Sequence, residues 1–341
     1  MRIILVGCGI VGRSFLKLIT YREAELFSSY GFRPKIVAIV DRKGAAINPK
    51  GLDPVKMLSL KTDRGTVAAS VDFGRPALKA LDVIESVEAE IVIEITPSSI
   101  DDAELGLSHI KAAFRNRKHV VTTNKGPLGN CLPMLTELAE QNGVCFRFSG
   151  TVGGGTPILE FGKNGLLGDR ITAIRGILNG TTNYILSEMD ERRAAFHEAL
   201  RQAQKLGYAE HDPSMDIDGI DTACKLVIMA NWIMGKKVTL KDVSIQGIGS
   251  ITLQDLEAAA MKSCTVKLIG SIENSLSVKP TEIDRNDLLC VSGVSNAVTF
   301  VSLSAGEETI IGRGAGGMET ASAILRDLIH IKRSLANRQL F

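Results

Sequence analysis

MRIILVGCGIVG, residues 1–12, opens with a β-branched apolar run that ends in glycine and leads into the amphipathic pattern GIVGRSFLKLIT. A short apolar run bounded by glycine reads as a buried strand, and apolar residues spaced three and four apart read as a helix. Gly7, Gly9 and Gly12 fit GxGxxG at the join. In a strand–turn–helix the first glycine permits the tight turn and the second lets backbone approach a pyrophosphate resting on the helix N-terminus. The third lets strand and helix pack closely. The bland alternative is a tight turn without a ligand. The strand before and the helix after argue instead for a dinucleotide site formed by Gly7, Gly9, Ile10, Val11 and Gly12.

Working outward, KIVAIVD (35–41), EIVIEIT (90–96) and KHVVTTN (118–124) read as further strands, with a helical stretch from about Asp101 to Asn116. Strands alternating with helices predict a parallel sheet covered on both faces, an α/β fold with an N-terminal Rossmann-type nucleotide-binding domain. Residues 43–80, rich in Gly, Pro and charge, are the least readable part. The second strand ends at Asp41. An acid there takes the ribose hydroxyls and favours NAD, whereas a neighbouring arginine accommodates the 2′-phosphate of NADP. Asp41-Arg42-Lys43 carries both signals. NAD and NADP therefore stay open, with the basic pair tilting the reading slightly to NADP.

The second half reads differently. VCFRFSGTVGGGTPILEF (144–161) predicts a strand, a glycine-rich turn and a helix, and ITAIRGILNGTTNYIL predicts a strand running into a helix. DTACKLVIMANWIMG is an apolar helix closed by Gly235, and Cys264 to Ile311 has an antiparallel pattern with turns at ENS and SNA. GRGAGG then feeds a last helix. The expected division is a nucleotide domain over 1–148, with 312–341 returning to it, and an α+β substrate-binding and dimerisation domain over 149–311.

Composition sets bounds on this picture. At 341 residues the chain suits two domains. Its net charge of +2 gives no electrostatic case for nucleic acid or an anionic membrane. Six scattered cysteines without a CxxC pair read as free thiols of a reducing compartment, and glycines interrupt the apolar N-terminus too early for a secretory signal. A cytoplasmic protein is expected.

One segment demands a function. GYAEHDPSMDIDGIDTACK (207–225) sets Glu210, Asp212, Asp216, Asp218 and Asp221 in front of a single lysine. A solvated acidic loop is the plain reading. A calcium loop is the next, since Asp216, Asp218 and Gly219 match its third, fifth and sixth places. Its twelfth place, however, would be Lys225, a cation where a bidentate Glu is required. Asp221 and Lys225 share a helix face four residues apart, and the helix that follows is nearly all apolar. Beside a nicotinamide site this makes chemical sense: reduction of an aldehyde leaves an alkoxide that an ammonium can protonate, and carboxylates can hold a substrate amine. His211 reads as a solvated loop residue and Cys224 as packing.

The segment AQKLGYAEHDPSMDIDGIDTACK (203–225) resembles the signature of the homoserine dehydrogenases, as do the glycine motif, TTNK (122–125), TVGGGTP, NGTTNYIL and GRGAGG, in order along nearly the whole chain. The resemblance implies reversible reduction of L-aspartate 4-semialdehyde to L-homoserine with NAD(P)H, on the route to threonine, methionine and isoleucine. It implies Lys225 as proton donor, Lys125 as a second lysine reaching the nicotinamide and reacting centre, and Thr96 and Gly316 as cofactor contacts. Glu210 and Asp221 would hold the amino and hydroxyl ends of the substrate, Asp216 would shape the pocket, and Gly180 with Thr181 would receive the carboxylate. The TVGGGTP loop resembles one whose carbonyls, here those of Ser149, Val152, Gly154 and Thr156, bind sodium. A homodimer through the sheet of 264–311 is expected, and so is a short form without the regulatory domain many members carry. The rivals are an oxidoreductase acting on another small amino acid and an NAD(P)-sensing protein without catalysis.

Overall fold

The computed structural model of the chain describes residues 1–98 and 103–338. It divides into two compact units, Met1–Thr151 with Gly316–Phe341, and Val152–Ala315. Both divisions fall a few residues later than the sequence reading put them.

The first unit is built on a seven-stranded sheet in the order β4-β3-β2-β1-β5-β6-β7. Its strands are β1 (Arg2–Val6), β2 (Lys35–Asp41), β3 (Gly44–Ile47), β4 (Gly74–Pro76), β5 (Ile91–Glu94), β6 (His119–Thr122) and β7 (Phe146–Arg147). From β2 to β7 every neighbour pair is parallel, as the alternation of strands and helices predicts. The other edge departs from that expectation, because β3 and β4 pair antiparallel within the stretch that resisted reading. The hairpin follows from one glycine. Asp41 pairs with Gly44, whose φ of 141° closes a turn over Arg42 and Lys43. A Cβ at Gly44 would stand 2.3 Å from the Arg75 carbonyl, so no other residue lets β4 approach.

Ile3, Leu5, Ile36, Ile39, Ile91 and Ile93 are almost completely buried and form one core with Phe15 and Leu16 of the helix Ile10–Tyr21. The returning helix, Gly317–Arg338, contributes Ile324, Leu325 and Leu328 to the same core. Burying each such side chain contributes about 1.5–3 kcal/mol. The helix expected from Asp101 is seen as Glu104–Arg115, and Asp101 itself lies outside the described residues, as does the terminal Phe341.

The second unit holds six strands in the order β13-β12-β8-β10-β11-β9: β8 (Ile171–Ile177), β9 (Val243–Ile245), β10 (Cys264–Ile272), β11 (Leu276–Asp284), β12 (Ser295–Ser302) and β13 (Gly306–Arg313). All pairings are antiparallel except β11 with β9. ENS turns the chain between β10 and β11 as expected. SNA does not: Ser295, Asn296 and Ala297 begin β12, and the turn comes at 303–305. The strand admits a buried Asn296 because its amide fills the space where Gly314 lacks a Cβ. Among the described residues no helix is long and apolar enough to cross a membrane.

Candidate active site

In the first unit β1 delivers the chain to Gly7, whose φ is 109°. A Cβ on Gly7 would meet the Ile95 carbonyl at 2.6 Å, and one on Gly12 would meet the Gly7 carbonyl at 2.6 Å. These two glycines are therefore required by packing. Gly9 is different, since a Cβ there would meet nothing within 4 Å. It borders open space at the start of the helix Ile10–Tyr21, whose first turn receives no side-chain cap. Unsatisfied N–H groups facing open space form the cradle that a pyrophosphate needs, so a dinucleotide fits the residues present. Ile10 is exposed and Val11 half-buried beside it. Cys8 is buried, and burial pushes its thiol up to about 11, which leaves it inert.

Asp41 at the end of β2 is already engaged by its own chain. Its Oδ1 accepts from the Lys43 N–H (3.0 Å) and the Thr66 hydroxyl (2.9 Å); its Oδ2 accepts from the Lys61 ammonium (2.7 Å) and the Val67 N–H (3.0 Å). Burial pushes this carboxyl up, but Lys61 and the backbone donors outweigh burial and hold it below the usual carboxylate range. Arg42, next along the hairpin, is exposed. Thr96 follows β5, Lys125 opens the helix Lys125–Gln141, and Gly316 (φ 137°) turns the chain into the last helix.

In the second unit the acidic segment folds so that its end enters the core. Gly219, with φ 83°, starts the helix Ile220–Trp232, and Lys225 on that helix is 8% exposed. Its ammonium lies 2.7 Å from Asp221 Oδ2 and donates to the Leu178 carbonyl at 2.7 Å. Leu178 leads into Asn179, which caps the helix Gly180–Arg192 by accepting from the Thr182 N–H at 2.9 Å. The Asn179 amide donates to Asp216 at 2.5 Å and to Asp221 at 2.9 Å. Burial raises the Asp216 pKa, and the neighbouring Asp221 charge adds to it against the pull of Asn179 and Lys225.

Lys225, Asp221 and Asp216, all singled out by the sequence, are thus joined through Asn179, which was not. The cue was available in NGTTNYIL, where Asn precedes Gly at a strand-to-helix junction. Gly180 and Thr181 occupy that helix's first turn, the Thr181 hydroxyl donating to the Tyr208 carbonyl at 2.7 Å. Glu210 stays exposed, and its backbone carbonyl accepts from Gln204 at 3.2 Å. In the glycine loop, Ser149 belongs to the first unit, where its N–H and hydroxyl donate to the buried Asp327 at 2.9 and 2.6 Å. Val152, Gly154 (φ 55°) and Thr156 belong to the second, where the Thr156 carbonyl accepts from the Ile158 N–H at 2.8 Å.

A dinucleotide cradle in one unit and a buried lysine–carboxylate cluster in the other define a two-domain NAD(P)-dependent oxidoreductase acting on a small polar substrate. Residues 7–149 match the family model described as homoserine dehydrogenase, NAD binding domain, and residues 157–329 match the one described as homoserine dehydrogenase. The chain is 45% identical to a homoserine dehydrogenase of Methanocaldococcus jannaschii over 98% of its own length and 99% of that protein's. It is 39% identical to an NAD(+)-dependent homoserine dehydrogenase of Pseudomonas canavaninivorans, over 99% and 98% of the two chains. A hyperthermophilic archaeal homoserine dehydrogenase solved in complex with NADPH superposes with a TM-score of 0.85 at 29% identity, over 98% of each chain. The chain belongs to the homoserine dehydrogenase family. It is an NAD(P)-dependent oxidoreductase acting on a CH–OH group, and its reaction is the reversible reduction of L-aspartate 4-semialdehyde to L-homoserine.

Proposed function

We propose that Lys225 is the proton donor of this reaction, with Asp221 and Asp216 binding the substrate beside it. The observation that carries the reading is the hydrogen-bonded chain Lys225–Asp221–Asn179–Asp216, half-buried at its aspartates, in which the ammonium is aimed by two acceptors 2.7 Å away. Bound NAD(P)H supplies the hydride. Lys225 then neutralises the alkoxide and gives it a proton, while Asp221 holds the ammonium in place. Glu210, on its exposed loop, would join Asp221 on the amino and hydroxyl ends of the substrate. The first N–H groups at Gly180 and Thr181 would receive its carboxylate. Lys125 would act at the nicotinamide and reacting centre, with Thr96 and Gly316 touching the cofactor. The test is a substrate panel on wild type and Lys225→Ala: turnover of homoserine ahead of other small hydroxy amino acids, lowered by about 10²–10⁴-fold in the variant, is the expected result.

The preferred cofactor is NADP. Four donors already fill Asp41, which leaves it little to offer a ribose, while Arg42 and Lys43 sit exposed on the hairpin to meet a 2′-phosphate. Comparing kcat/KM for the two cofactors decides it. The proposal extends to a monovalent cation such as sodium on backbone carbonyls of the 149–156 loop, checked by replacing sodium with choline in the assay. It extends also to a homodimer through the 264–311 sheet, where Leu288, Leu303 and Ile311 are exposed, checked by sedimentation. A cytoplasmic location suits the six free cysteines.

A further inference from the structure

Glu94 closes the otherwise apolar β5 and is 0% exposed, yet no role assigned above uses it. Among the described residues its oxygens meet donors alone. Thr96 gives Oε1 both its backbone N–H, at 3.1 Å, and its hydroxyl, and Thr122 on β6 gives Oε2 its hydroxyl at 3.0 Å. Acceptance at both oxygens is the behaviour of a carboxylate. The Nδ1 of His109, 3% exposed, stands 3.7 Å from Oε1, too far for a hydrogen bond, and has no hydrogen-bond partner among the described residues. Among the described residues no lysine or arginine forms an ion pair with Glu94. A buried charge so lightly compensated is costly, and such groups concentrate where function needs them.

Its surroundings say what that function is. Thr122 Oγ1 also accepts from the Asn124 N–H (3.0 Å), and Asn124 Oδ1 accepts from the Gly126 N–H (3.2 Å) and the Ser98 hydroxyl (3.1 Å). Ser98 Oγ in turn accepts from the Lys125 N–H at 2.7 Å. The chain of bonds ties the ends of β5 and β6 to the first turn of the Lys125 helix. The strand order reverses between β1 and β5, and in such sheets the ligand lies beyond the carboxyl ends of the strands at that point. Thr96 spends its one hydroxyl proton on Glu94, so towards a ligand its oxygen can only accept.

We infer that Glu94 is a fixed negative charge beneath the nicotinamide end of the dinucleotide site, favouring the oxidised, cationic cofactor over the reduced, neutral one and setting Thr96 as an acceptor. The inference rests on the reading of this unit as the NAD(P) site. Nothing in the substrate unit enters it. Glu94→Gln removes the charge and keeps the shape: the Gln carbonyl can accept from Thr96, and its amide can donate to Thr122.

The test is equilibrium binding of NADP⁺ and NADPH, without substrate, by calorimetry and nicotinamide fluorescence. Glu94→Gln should weaken NADP⁺ relative to NADPH on the order of ten-fold, the effect of one charge across ~10 Å at an effective dielectric of ~20. Glu94→Asp, which keeps the charge, should leave the ratio within about three-fold of wild type on the same reasoning. Should Glu94→Gln fail to fold, His109→Lys sets an ammonium beside the same carboxylate and must move the ratio in the same direction. An unchanged ratio in the neutralised variant overturns the inference, and so does an equal loss of both forms. Failure of the wild type to bind either form would instead remove the dinucleotide reading itself.

Discussion

Asp41 and Asp216 are two carboxylates at candidate binding sites, one in each unit, and their pKa values move in opposite directions. Asp41 gathers four donors, one of them an ammonium, and is held below the usual range although burial opposes this. Asp216 has the Asn179 amide, the Thr181 side chain and a more distant Lys225, but burial and the like charge of Asp221 outweigh them and hold it above that range. A carboxylate saturated by its own chain serves the fold. One left short of donors is poised for a cation that arrives with the substrate.

The comparison can be broken at four points. Lys225→Ala strikes the under-compensated cluster at its lysine and should lower kcat by about 10²–10⁴-fold with cofactor affinity nearly intact. A loss below about ten-fold across the pH range would end the proton-donor role. Arg42→Ala should weaken NADP by about ten- to a hundred-fold and spare NAD, because only NADP carries the extra phosphate. Equal losses would show that Arg42 does not reach it.

Asp216→Asn should raise KM for homoserine by about ten-fold, the lower end of the range for a hydrogen bond to a charged group. In wild type the same KM should climb as pH falls through the raised pKa of Asp216, which must be ionised to attract an ammonium. The rise begins at higher pH than an ordinary aspartate would give, and the Asn variant should lose it. Asp41→Asn has the smallest expected effect, about 1 kcal/mol of stability at neutral pH, since Lys61 can regain solvent. Because the folded-state pKa is depressed, that contribution is present above the unfolded value and lost as pH falls through the folded one. Denaturant melts of the two proteins should therefore converge in acid.

Much of this was legible in the sequence where the signal was local. GxGxxG, the strand that precedes it and the i,i+4 pair of Asp221 and Lys225 lie within single elements, and each formed as read. Saturation of Asp41 was not legible, because Lys61, Thr66 and Val67 approach from another part of the chain. The antiparallel edge escaped because β3 and β4 are short and their pairing depends on Gly44. Asn296 looked like a turn residue until Gly314 made room for it. Glu94 went unremarked inside the run EIVIEIT, read as a strand through Thr96, whereas the strand stops at Glu94 itself.

The last helix gives the first unit an unusual birth. Its core needs Ile324, Leu325 and Leu328 against Phe15 and Leu16, and these are made after the whole of Val152–Ala315. At ribosomal speeds of about 5–20 residues per second, the nascent β1–β7 sheet waits roughly 10–30 seconds with that flank uncovered. Chaperone capture, or proteolytic nicking, is expected to fall in that interval, and a stop codon placed before Gly317 would make the wait permanent.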